Sequence, residues 1–213
     1  MTDRTGRRKT REQRMKRRVP ELGYYFIVTD TKETEQNYIL GLRDSFPAHI
    51  QGKLVIKVCK ARTVDLVEKA LEMASLHPQS GEPWIIFDRD QVPNFDGIIT
   101  SAQQQGIHVG WSNPCIEIWF HTYFGSMPTH QESVSCCTGF STKYKQIVDQ
   151  AYEKADRSIY AKLCKFGNEN TAISIAETKY AEYKNQYITL PSKMCPCTTV
   201  HILVKELKGK IPQ

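Results

Sequence analysis

The chain has 213 residues with 29 Lys or Arg against 23 Asp or Glu, a net charge of +6, which is long enough for one sizeable α/β domain. No stretch approaches the roughly 18 apolar residues of a membrane span, and the N-terminus lacks the apolar core of a signal peptide, so a cytoplasmic protein without membrane contact is expected. Seven cysteines, an odd number in such a chain, argue for reduced, mostly buried thiols rather than a disulfide framework.

The charge is concentrated at one end. Residues 1–18 hold nine basic side chains (Arg4, Arg7, Arg8, Lys9, Arg11, Arg14, Lys16, Arg17 and Arg18) against Asp3 and Glu12, and the rest of the chain sums to −1. Residues 1–20 therefore read as a flexible basic arm, and 21–213 as a single domain. Clustered Arg and Lys gain affinity for a polyanion by releasing its condensed counterions, which makes nucleic acid the first candidate partner. A solvated tail that aids solubility is the alternative.

From residue 20 onward, strands alternate with helical patterns. A strand over 24–28 is followed by a helix over 34–46, with Ile39, Leu42 and Phe46 on one face. A second strand spans 54–58, and Val64, Val67, Leu71 and Ala74 mark a helix ending before Pro78. The third strand is the apolar run 84–87. Phe95, Ile98, Ile99 and Ala102 lie on a helix closed by Gly106, before a fourth strand over 107–111. Asn113 is the expected N-cap, and Pro114 the first residue, of a helix through Phe124. The Ser-, Thr- and Gly-rich stretch 125–142 reads as a long loop, and helices are expected over 143–165, 169–187 and 198–208. This βαβαβαβ alternation calls for a mostly parallel central sheet with right-handed crossovers, flanked by helices and followed by extra C-terminal helices. Aromatic and apolar positions in those last helices (Tyr152, Tyr160, Leu163, Tyr180, Tyr183, Tyr187) would either cover a sheet face or form a homo-oligomer interface.

The third strand ends in Asp88-Arg89-Asp90, and the C-terminal end of a parallel strand is where an open α/β sheet places chemistry. Two carboxylates held within a few ångströms repel each other unless a cation lies between them. Mg²⁺, a hard ion with a preference for oxygen, fits best, and Mn²⁺ is the substitute. A solvated loop pair with Arg89 as counterion is the competing account. The first strand ends in Asp30-Thr31-Lys32-Glu33-Thr34-Glu35, three carboxylates in six residues. Glu117 follows the fourth strand and would bring another acid toward the same edge. Helix-dipole and capping roles compete for Glu33, Glu35 and Glu117. Cys195, Cys197 and His201 could contribute to a zinc site completed by Cys136 or Cys137, a reading that ordinary buried cysteines outweigh.

With these residues in view, the chain resembles the RloB-like proteins, whose fold is related to the TOPRIM domain. The resemblance covers most of the chain. It rests on the basic N-terminal stretch, Thr34-Glu35 with Tyr38, Asp88-Arg89-Asp90, the run Asn113-Pro114-Cys115-Ile116-Glu117-Ile118-Trp119 and, more weakly, 196–200 before the last helix. It implies a TOPRIM-like α/β fold and a Mg²⁺-dependent nuclease acting on DNA or RNA, tRNA included. Its role would be that of an anti-phage effector working with an ATPase partner encoded nearby. In that reading Asp88 and Asp90 are metal ligands, Asp30 or Glu35 is the general base or a further ligand, Glu117 completes the shell, and Lys32 offsets phosphate charge. Arg7, Arg8, Lys9, Arg11, Arg14, Lys16, Arg17 and Arg18 would bind nucleic acid without sequence choice.

The chain departs from the family pattern in two places. It has Asp30-Thr31 where the family commonly has Glu-Gly, and Tyr123-Phe124, with His121 nearby, where relatives often have His-Phe. The first departure motivates a second hypothesis: a non-catalytic adaptor that binds nucleic acid or the ATPase. A HAD-like phosphatase, which also uses Asp-x-Asp, places that motif after its first strand rather than its third.

Overall fold

A computed structural model describes residues 20–30, 33–76, 81–90 and 92–211. The basic arm through Arg18 and Lys32 lie outside the described residues. Among the described residues, five strands form one sheet: β1 (Gly23–Thr29), β2 (Leu54–Lys60), β3 (Gly81–Asp88), β4 (His108–Asn113) and β5 (Cys197–Thr198). Their order is β2-β1-β3-β4-β5. The first four are mutually parallel, and β5 runs antiparallel on the β4 edge. The α/β architecture and mostly parallel sheet thus follow the sequence pattern, and the topology is compatible with a TOPRIM-like arrangement.

The near-continuous apolar runs of β1 and β3 reflect burial on both faces, as expected for central parallel strands. Alternation sorts their side chains. Tyr25, Ile27, Trp84 and Ile86 face one layer of core, and Val28, Ile85 and Phe87 face the other. The first layer includes residues of α1 (Glu33–Asp44), α5 (Glu117–Tyr123), α7 (Ile159–Phe166) and α9 (Val200–Gly209), together with Phe140, Tyr144 and Val148 and with Ala172 and Ala176 from two further helices. The second is closed by α3 (Leu66–Ser75) and α4 (Phe95–Gln104). Each large apolar side chain fully buried this way stabilises the fold by about 1.5–3 kcal/mol relative to leaving it exposed. A short α2 (Ala48–Gln51) precedes β2. Because the chain leaves β1 for β2 on one side and returns past β1 to β3 on the other, its direction reverses between β1 and β3. That reversal opens a crevice at the C-terminal ends of these two strands.

Several expected boundaries are corrected. Asn113 is the last residue of β4 rather than a helix cap, and its side-chain amide donates to the Pro191 and Ser192 carbonyls. The following helix starts only at Glu117. The stretch expected as a loop contains the start of α6 (Ser133–Val148), and the single helix expected over 143–165 is the end of α6, a connection, and α7. Cys136, Phe140, Tyr144 and Val148, four residues apart, are the buried stripe of α6. Its hydroxyls are absorbed locally: Thr138 and Thr142 donate to the carbonyls of Val134 and Thr138. Of the residues expected to mark the second helix, Val64 and Leu71 are exposed, and Val64 lies in a 3-10 turn, Thr63–Asp65, that precedes α3. The long C-terminal helix is α8 (Glu169–Asn185).

Candidate functional site

Asp30 follows β1 directly, and its backbone N–H donates to the Ile86 carbonyl, which extends the β1–β3 ladder by one step. Asp88, the last residue of β3, is 5% exposed. The two acids are thereby fixed side by side at the crevice. Asp90 is held by the neighbouring strand's extension: the Arg89 N–H donates to the Ser112 carbonyl and the Asp90 N–H to the Pro114 carbonyl. Asp90 has φ +28, a conformation that Asp tolerates better than most residues.

Asp30, Asp88 and Asp90 line one cavity of about 490 Å³, together with Arg62, Thr63, Val64, Val92, Pro93, Asn94 and Ile98. The Thr63 hydroxyl donates to Asp30 Oδ2 at 2.9 Å. The Arg62 guanidinium, exposed at the rim, is anchored by Asp65 at 2.6 Å. On its other side Asp90 also lines a second cavity of about 380 Å³, bounded by Arg89, Asn113, Pro114 and the start of α6. The arrangement sets hard anionic oxygens at the floor and guanidinium groups beside them. Such a donor set suits a Mg²⁺-class ion, and cations flanking it suit an anionic substrate.

The other predicted acids are placed differently. Glu35 is buried in the first turn of α1 and is not among the residues lining the cavity. Glu117 opens α5, accepts a 2.9 Å hydrogen bond from the Tyr152 hydroxyl, and lies 3.7 Å from Lys154 Nζ. Its metal-competent neighbours are Cys115 and Cys137 rather than the three aspartates. His121 is buried, with its ring packed edge-on against Phe140, and burial pushes its pKa down to about 4. Cys195 donates to the His130 and Gln131 carbonyls, while His201 Nδ1 lies 3.1 Å from the Thr198 carbonyl, so each is engaged locally.

Arg62 and Thr63 escaped the sequence reading. No motif marks them, but they follow β2, whose C-terminal end lies on the same sheet edge as those of β1 and β3. A search of that edge, loop by loop, would have found them.

Fold and site together define an α/β protein with an acidic cavity at the switch point of a mostly parallel sheet. The family model described as RloB-like protein matches residues 25–207, and the chain belongs to that family. No significant match was found among curated proteins or among solved structures. Among the described residues, no helix is long and apolar enough to cross a membrane.

Proposed function

We propose that the chain is a Mg²⁺-dependent nuclease of TOPRIM-like type and the effector of a bacterial anti-phage system. The observation that supports this most is the meeting of Asp30, Asp88 and Asp90, from two separate strand ends, around one cavity with Arg62 at its rim. When bound, Mg²⁺ would neutralise phosphate charge and make water a better nucleophile. Asp88 and Asp90 would hold it. Asp30, steadied by Thr63, would serve as a further ligand or accept a proton from the attacking water. Arg62 and Arg89 would meet phosphate oxygens on either side of Asp90, and the basic arm would add affinity that is independent of sequence. The activity would be restrained until the ATPase partner releases it.

The test is cleavage of plasmid DNA and total tRNA with Mg²⁺ or Mn²⁺, for the protein alone and with its ATPase partner. Cleavage should fall by about 10²–10³-fold in the Asp88→Asn, Asp90→Asn double variant, the order of loss seen when preorganised electrostatic groups are removed. Undiminished cleavage in that variant would dismiss the site. Absence of cleavage of either substrate, together with no metal-dependent stabilisation beyond nonspecific binding, would instead favour the adaptor, a role consistent with the shorter Asp30 in place of the family's Glu.

A further inference from the structure

A second group of ligand-type side chains shares no residue with the lining of the three-aspartate cavity. The Sγ atoms of Cys115 and Cys137 and a carboxylate oxygen of Glu117 all lie within 4.8 Å of one another. The three residues come from three places: the turn after β4, the body of α6, and the first residue of α5. Cys115 and Glu117 are buried and Cys137 is half-buried, so the group is reachable from one side.

The spacing fits a tetrahedral ion. Two sulfurs, each about 2.3 Å from a tetrahedral zinc, are separated by about 3.8 Å. Cys115 Sγ and Cys137 Sγ are 3.8 Å apart. The surroundings fit as well. Tyr152 donates to Glu117 Oε1 at 2.9 Å, a hydrogen bond of the kind that orients a metal-binding carboxylate and leaves its second oxygen for the ion. Ile118, Cys136 and Met127 pack around the sulfurs and keep the local dielectric low. Two thiolates and a carboxylate around a divalent ion carry one net negative charge, and Lys154, 3.7 Å from Glu117, offsets it.

We propose that Cys115, Cys137 and Glu117 form a zinc site, with two thiolate sulfurs and one carboxylate oxygen as ligands and solvent in the fourth position. Binding releases one proton from each thiol. The ion would tie α5 and α6 to the turn containing Pro114, whose carbonyl receives the Asp90 N–H. The site therefore braces the aspartate cavity without contributing to it, and the inference does not depend on the nuclease reading.

The test uses the full chain, reduced and freed of metal, titrated with Co²⁺ in excess Mg²⁺. Uptake of one Co²⁺ per chain should bring thiolate-to-cobalt charge-transfer absorption and the intense visible bands of a tetrahedral ion, and Zn²⁺ should erase both. Cys137→Ser and the Cys115→Ser, Cys137→Ser double variant should lose these bands, while Cys195→Ser keeps them. Circular dichroism verifies that each variant is folded, and Glu117→Gln, which preserves shape, should weaken Co²⁺ binding at least tenfold. Absence of tetrahedral bands in the wild type overturns the proposal, as does their survival in the folded double variant. A simple thiol-to-thiol hydrogen bond predicts the first of these results.

Discussion

The Thr63 hydroxyl and the Asp30 carboxylate are joined by a 2.9 Å hydrogen bond that links the loop after β2 to the loop after β1. If Asp30 is a ligand or base, its orientation depends on this donor. Thr63→Val keeps the side-chain shape and removes the donor, so Mg²⁺ affinity should fall by about 10- to 100-fold, as for other residues that orient a ligand. Calorimetric titration measures it. An unchanged affinity would separate Thr63 from the site.

Stability should decline from pH 6.5 toward pH 4 through two buried histidines. Burial pushes both His121 and His201 down to about 4, whereas an unfolded histidine titrates near 6.5. Between these values the unfolded chain binds more protons than the native one, so ΔG of unfolding decreases as pH falls. The contribution is complete above 6.5 and gone below about 4. Urea midpoints measured across this window should fall less steeply for the His121→Phe, His201→Asn double variant than for the wild type.

Glu169 organises the aromatic centre of the first core layer. Its Oε1 accepts from Tyr160 at 2.8 Å and Tyr123 at 3.2 Å, and the Tyr123 hydroxyl in turn meets that of Tyr38 at 2.8 Å. Lys208 lies 3.2 Å from the other carboxylate oxygen. Glu169→Ala strands buried hydroxyls and should cost about 1–3 kcal/mol in urea denaturation. Glu177→Ala, which breaks an exposed pair with Lys205, should stay within about 0.5 kcal/mol. Equal effects would mean that the network carries no special weight.

Gly41 lies within α1, where an added Cβ would come within 2.6 Å of Tyr160 Cβ on α7. Alanine gains roughly 1 kcal/mol in helix propensity, but overpacking costs about 1–3 kcal/mol. Gly41→Ala should therefore destabilise the protein on balance, read as a lower urea midpoint at unchanged slope.

The sheet and the aspartates were legible in the sequence because they obey short-range rules. Apolar runs bounded by turns marked β1 and β3, and parallel pairing sends the residues after them to one edge. Glu117 is not among the residues lining the aspartate cavity, because short-range rules do not govern it. Following β4 placed it near that edge in sequence terms, but the direction of its side chain is set by α6 and by Tyr152, which no local pattern encodes. The Ser- and Thr-rich start of α6 concealed a helix whose i,i+4 stripe of Cys136, Phe140, Tyr144 and Val148 was visible in the sequence. In that segment composition points to a loop and periodicity to a helix, and burial of the stripe decides for the helix. The two-residue β5 is a strand only because β4 offers it an edge, which is a tertiary fact.

The backbone at Asp90 has a practical consequence for mutagenesis. At φ +28, alanine would add a conformational penalty on top of the lost carboxylate, glycine would relax the turn while removing it, and asparagine alone changes the charge at nearly constant backbone preference. Loss of activity in an alanine scan would thus conflate a distorted turn with missing chemistry, whereas Asp90→Asn set beside Asp90→Gly separates the two.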